Sequence, residues 1–341
     1  MRAVGFDDKH GCIEMGNERR RGTVMRILVV GAGAVGGYFG GRLLEAGCNV
    51  SFLVRPKRAA QLAETGLVIK SRFGDVILKV PPTIQAQKID RHFDLVLLSC
   101  KAYDLDAAID SFAAAVGPET AILPLLNGMR HLDVLDQRFG AAHVLGGQCL
   151  ITATLDDTGR IFHLNDSHIL AFGERDGMRS QRIDAIAREM SGANFDSRAS
   201  AVVLLEMWEK WVFLATLAGI TCLMRAAIGD VVATGGAHLA LELLEECRSI
   251  AASAGFAPRA EFLERTRSIV TAAGSPLTAS MLRDMEHRAR IESDHILGDL
   301  LRRGSQVLNA DHSLLQLAYR HLKAYEARRD REKAAAENAS S

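Results

Sequence analysis

The sequence predicts an α/β unit built on a parallel sheet, followed by an all-helical unit, and three observations carry this expectation. Short, nearly unbroken apolar runs alternate with helical stripes from Met25 to about residue 125. The first of these runs passes directly into a glycine-rich turn. From Val202 to about residue 325 the chain consists of long helical segments, broken only at Gly229, Gly235-Gly236, Gly255-Phe256-Ala257-Pro258 and Gly274-Ser275-Pro276. Strands alternating with helices mean βαβ units, hence a parallel sheet. The expected division is a disordered leader over 1–24, a first unit over 25–195, a helical unit over 196–326 and a disordered tail over 327–341.

The first strand is Arg26-Ile27-Leu28-Val29-Val30, apolar enough to be buried on both faces. It runs into Gly31-Ala32-Gly33-Ala34-Val35-Gly36, which fits G-x-G-x-x-G, and an apolar stripe (Val35, Phe39, Leu43) follows, ending at Ala46-Gly47. In a dinucleotide site Gly31 permits the tight turn, Gly33 lets the backbone approach a pyrophosphate, and Gly36 lets helix and strand pack closely. Free N–H groups at the helix start, with the helix dipole, favour phosphate charge there. A glycine-rich turn that holds nothing is the competing reading; a strand before and a helix after argue for a Rossmann-type dinucleotide-binding unit.

The second strand, Val50-Ser51-Phe52-Leu53-Val54, selects the nucleotide. An NAD-type site places Asp or Glu near its end, on the ribose 2′-hydroxyl. Here the chain reads Arg55-Pro56-Lys57-Arg58, with no carboxylate before Glu64. Arg55 lies 24 positions after Gly31, about where the fingerprint expects the discriminating residue. Three cations suit a 2′-phosphate, so the expected cofactor is NADP(H), with Arg55 as the foremost contact and Lys57 or Arg58 in support. A solvated basic turn is the alternative.

Further along, Gly66–Lys70 and Val76–Val80 read as a hairpin, and Phe93–Ser99 as a buried strand followed by Lys101 and a helix through Val116. Ala121–Leu126 is the next strand, ending in Asn127-Gly128-Met129; Val144–Thr154, Gly159–Leu164 and Ile169–Gly173 add strand-like segments, and Ile183–Met190 a helix. In open α/β sheets ligands bind beyond the carboxyl ends of the strands. Lys101 and Asn127 both sit just past such ends, facing a cleft that the helical unit would close.

Composition excludes several classes. The 341 residues carry 41 basic and 41 acidic side chains, so there is no global field to recruit nucleic acid or an anionic membrane. No run of eighteen or more uncharged apolar residues appears, so no segment is expected to span a bilayer. Six scattered cysteines show no C-x-x-C or zinc-like spacing and eleven histidines form no H-E-x-x-H set, so no metal is expected. The polar stretch 1–24 has no apolar core of a secretory signal, and Met25 would serve as a natural start. The cytoplasm is the expected compartment.

The helical unit contributes the remaining polar residues. Trp208-Glu209-Lys210-Trp211 opens an apolar helix; Lys210 either snorkels to the surface or faces a cleft as a proton donor with a depressed pKa. Ser280 and Glu292 are twelve residues apart, about three helical turns and so on much the same face; that face is either exposed or turned to the cleft.

Taken in order, the glycine strand, Ser99-Cys100-Lys101-Ala102, Leu125-Leu126-Asn127-Gly128-Met129, Trp208-Glu209-Lys210, Ser280-Met281-Leu282-Arg283-Asp284 and Arg290-Ile291-Glu292-Ser293-Asp294 resemble the ketopantoate reductase (2-dehydropantoate 2-reductase, ApbA/PanE) family over about residues 25–325. The resemblance implies NADPH-dependent reduction of a 2-oxo acid, in pantothenate synthesis ketopantoate to pantoate. It implies Lys210 as proton donor to the carbonyl oxygen, Asn127 holding that oxygen near the nicotinamide, and Glu292 on the substrate's hydroxyl side. Ser280 would help receive the carboxylate, and Lys101 would line the cleft near the cofactor. A homodimer is likewise an expectation from the family. One departure concerns the substrate: the family helix carries asparagines four and eight residues after the lysine, and here those substrate-binding positions are Leu214 and Ala218. The alternatives are therefore a reductase of a more apolar 2-oxo acid, a related hydroxyacid or opine-type dehydrogenase, and a catalytically silent NADPH-binding sensor.

Overall fold

The computed structural model describes residues 24–308 and 313–339; the expected leader, apart from Val24, and the last two residues lie outside them. Buried apolar runs supply the strands β1 (Arg26–Val30), β2 (Asn49–Leu53), β5 (Thr83–Ile84), β6 (Leu95–Leu98) and β7 (Ala121–Pro124), with β3 (Leu67–Lys70) and β4 (Val76–Leu78) between them. Helices α1 (Ala34–Glu45), α2 (Pro56–Thr65), α3 (Leu105–Phe112) and α4 (Arg130–Phe139) connect these strands. The first sheet has the order β5-β2-β1-β6-β7, every neighbouring pair parallel. β1 lies between β2 and β6, so the glycine turn after Val30 emerges where the strand order reverses, the place such sheets reserve for ligands.

The hairpin β3–β4 forms as expected but joins a second sheet, with β8 (Gly146–Leu155), β9 (Ile161–Gly173) and β10 (Asp196–Ala199). β9 is a single strand, where two segments flanking 165–168 were expected. Its polar stretch stays in the strand because Asn165 Oδ1 accepts the Thr152 N–H at 2.8 Å beside a register shift in β8, which satisfies a backbone group the irregularity would orphan. β10 follows α5 (Gln181–Met190) and pairs in parallel with β9, so the change to helices falls after Ala199. Helix α1 is sandwiched between the sheets, with Phe39 and Leu43 at 0% exposure in a core shared with Phe52, Ile69 and Phe172.

The helical part is built around α6 (Val203–Met224), joined by α7 (Ile228–Ala233), α8 (Ala237–Ser253), α9 (Ala260–Val270), α10 (Ser280–Glu286), α11 (Asp299–Arg303) and α12 (Leu314–Ala339). α6 buries residues around its whole circumference, among them Trp211, Val212, Ala215 and Ile220, as a helix at the centre of a core must. Arg225, in the left-handed region at φ 54°, ends it. The disordered tail expected over 327–341 is instead helical as far as Ala339. Alanine, glutamate, lysine and arginine dominate this stretch, and pairs four apart, Arg328–Glu332 at 2.7 Å and Lys333–Glu337 at 3.7 Å, lie along it. Among the described residues, no helix is long and apolar enough to cross a membrane.

Candidate active site

Gly33 is the N-cap of α1. A side chain at Gly36 would collide with the Gly31 carbonyl and Ser99 Oγ, so the glycine is what lets α1 start against β1 and β6. At Gly33 the space beside the backbone is open, with no heavy atom within 4 Å of an added Cβ. An open approach to a helix start whose first N–H groups lack intrahelical partners fits a pyrophosphate.

The three cations after β2 separate in space. Arg55 is exposed and pairs with Asp104 Oδ1 at 3.2 Å, and Lys57 is exposed. Arg58 turns inward: Nε donates to the Ala32 carbonyl at 3.0 Å, Nη1 to Gln61 at 2.5 Å and Nη2 to the Gly159 carbonyl at 3.1 Å. Burial lowers its pKa. Arg58 therefore braces the glycine turn against the β8–β9 connection, while Arg55 and Lys57 stay at the surface. Sequence reading could not see this, because both of its backbone acceptors are carbonyls.

Lys101, past β6, reaches toward the helical part, with Nζ 3.5 Å from Asp284 Oδ2 and 3.9 Å from Glu292 Oε2. Burial works against its charge, but Glu292 and Asp284 outweigh burial and raise its pKa. Glu292 Oε1 also accepts the Ala102 N–H at 2.8 Å. Glu292 does not share a helix with Ser280 as the spacing suggested. α10 ends at Glu286, and Arg288 adopts φ 56°, breaking the helix before Glu292.

Asn127, past β7, lines a small cavity of about 10 Å³ with Gly128, Gln148, Met207, Lys210 and Trp211, room for about one water. Lys210 comes to it from α6, its Nζ donating to the Cys149 carbonyl at 2.7 Å. Burial lowers its pKa, against the opposing pull of Cys149 and Glu292. Of its neighbours, Glu209 pairs with Arg259 and Trp211 donates Nε1–H to the Ile296 carbonyl at 2.8 Å. Lys210 thus ends on the Cys149 carbonyl of β8, at the edge of the cavity.

Leu214 is half-buried and Ala218 buried, one and two turns beyond Lys210 on α6. Neither lines the cavity, and Ser280 is exposed at the start of α10, away from it. Gln148, Met207 and the Cys149 carbonyl escaped sequence reading. Gln148 had a signal, as a polar residue in the apolar run of β8; a backbone carbonyl has none. The site thus gathers an ammonium, an amide and a carboxylate at the carboxyl edge of β6 and β7, where charge developing on an oxygen could be met by pre-aimed donors.

Comparison with known proteins bears on the family and the fold. Residues 27–177 match the family model of ketopantoate reductase PanE/ApbA, and residues 202–326 match that of its C-terminal part. The uncharacterized oxidoreductase YkpB of Bacillus subtilis (strain 168) is 39% identical over 304 residues, 89% of this chain and 99% of its own. The crystal structure of 2-dehydropantoate 2-reductase from Methylococcus capsulatus superposes with a TM-score of 0.79 at 25% identity, covering 89% of this chain and 98% of that one. A D-mandelate dehydrogenase solved with NADH and anilino(oxo)acetate shares the fold, with a TM-score of 0.78 at 20% identity over 90% and 99% of the two chains. This chain is therefore an oxidoreductase of the ketopantoate reductase PanE/ApbA family.

Proposed function

We propose that the protein reduces a 2-oxo acid to the 2-hydroxy acid with NADPH, ketopantoate being the first candidate substrate, and that it works in the cytoplasm as a homodimer. The observation that carries the reading is the meeting of Lys210 and Asn127 at one cavity, past the carboxyl end of β7. The 2-dehydropantoate 2-reductase relative supports the substrate class. The exposed Arg55 and Lys57, with no acidic residue among them, support NADPH.

The glycine turn and the start of α1 would hold NADPH, with Arg55 and Lys57 at its 2′-phosphate, and the cofactor would supply the hydride. Lys210 donates a proton to the carbonyl oxygen as charge grows there, and the Asn127 amide holds that oxygen in place. Glu292 takes the hydroxyl side, Ser280 helps receive the carboxylate as the cleft adjusts, and Lys101 lines the approach. A 2-oxo acid is larger than the cavity, so its entry parts the sheet edge from the helical part, beginning at the Lys101–Glu292 pair. A half-buried ammonium brought to the same cavity as the Asn127 amide speaks against a silent sensor.

Leu214 and Ala218 favour a second reading, a more apolar 2-oxo acid. A screen of NADPH oxidation over small 2-oxo acids, ketopantoate included, tests both; no turnover with any of them overturns the proposal.

A further inference from the structure

His131 and His295 lie against the residues just described. His131, at 0% exposure in the first turn of α4, follows Asn127 by four positions. His295 sits on a π-helical turn, Asp294–Gly298, a widened geometry often found at functional sites. Their rings are stacked, 19° apart in plane, with His295 Nε2 3.5 Å from His131 Nδ1. The Asn127 backbone lies near enough to the His295 ring to act on its titration. Gly128, at φ 76°, approaches so closely that an added Cβ would stand 2.9 Å from the His295 carbonyl oxygen, so no other residue fits.

We propose that His131 and His295 are positioning residues, a buried imidazole pair that holds the Asn127-Gly128 turn against the segment bearing Glu292 and so sets the spacing of the groups that meet the substrate. The proposal rests on the reading of Asn127, Glu292 and Lys210 as the active site. Within five residues the 292–296 segment touches three parts of that site. Glu292 accepts the Ala102 N–H, His295 meets Asn127 and Gly128, and the Ile296 carbonyl accepts from Trp211, the neighbour of Lys210.

The pair suits positioning and not proton transfer. Among the described residues His131 Nε2 is buried without a hydrogen-bond partner, so no side chain there is placed to pass it a proton. Burial lowers both pKa values; His295, Lys210 and Arg303 add to this at His131, while Glu292 and Asp299 oppose it and Arg130 adds to it at His295. Both rings therefore stay uncharged through the neutral range. An orphaned buried nitrogen is a cost to the fold, so a purely structural role would be better served by phenylalanine.

The test compares His131→Phe, which keeps the ring and loses Nδ1, with His131→Asn, whose amide lies near the position of that nitrogen. We expect His131→Phe to melt no lower than wild type and to bind NADPH within twofold, yet to lose at least tenfold in kcat/KM. His131→Asn should recover at least a third of that loss, and His131→Phe combined with His295→Phe should cost no more than the single change. Turnover by His131→Phe within twofold of wild type overturns the proposal. If wild type itself reduces no 2-oxo acid, the functional reading fails, and the pair is judged by the Asn127 side-chain amide resonances of the NADPH complex. Their displacement in His131→Phe supports the positioning role, and unmoved resonances overturn it.

Discussion

The Lys210 ammonium ends 2.7 Å from the Cys149 carbonyl, inside the contact between α6 and β8. A charge placed there costs the fold free energy that a surface lysine would not, and burial accordingly lowers its pKa. The same placement makes it a better proton donor near neutral pH.

Lys210→Met should therefore act in opposite directions on activity and stability. As proton donor, Lys210 contributes roughly 10²–10⁴ in kcat, and the variant should lose that factor while binding NADPH normally. Its melting temperature at pH 7 should rise by roughly 1–4 °C. Near-normal turnover would remove the catalytic assignment.

The pH profile follows from the same shift. A general acid must be protonated, so kcat should fall as pH rises through a value below the ordinary 10.5 of lysine. The sign for stability is the reverse. Between the lowered folded value and 10.5 the unfolded chain binds more protons, so Lys210's contribution to stability rises with pH across that window, and its cost is present in full below it. In Lys210→Met the stability rise over that window should be smaller. A wild-type kcat that is flat to pH 10.5 would contradict the buried donor.

Cofactor choice divides the basic turn. NADPH should bind at least tenfold more tightly than NADH, about 1.4 kcal/mol, and Arg55→Ala should remove most of that difference. Arg58→Ala should weaken both cofactors alike and lower the melting temperature, because Arg58 braces Ala32 and Gly159. Fluorescence titration of both cofactors distinguishes the two outcomes; equal wild-type affinities would sink the 2′-phosphate assignment.

Leu214 and Ala218 stand outside the closed cavity, and substrate preference follows from them once the parted cleft brings them against the substrate. Burying a hydroxyl against Leu214 without a partner costs roughly 1–3 kcal/mol, a cost Glu292 can offset in part. A branched, hydroxyl-free 2-oxo acid should then match or exceed ketopantoate in kcat/KM. A tenfold preference for ketopantoate would mean that other groups have replaced the missing amides.

Much of this protein was legible from local pattern alone. Apolar runs separated by helical stripes determined the parallel sheet, because strands buried on both faces leave no polar alternation. The glycine spacing determined the cofactor turn, because each glycine answers to a backbone constraint within six residues. The motif series pointed to Lys210, Asn127, Glu292 and Lys101 by residue type and order. What only tertiary structure decided were contacts between segments distant in sequence. It turned Arg58 inward to two carbonyls, put a bend at Arg288 where spacing implied one helix through Glu292, and carried α12 through to Ala339. It also set Lys210 against a carbonyl of β8 and brought His131 to His295 across 164 positions. Local propensity is written in neighbouring residues, but burial and backbone partners belong to whatever the chain folds beside, and those are known only once it has folded.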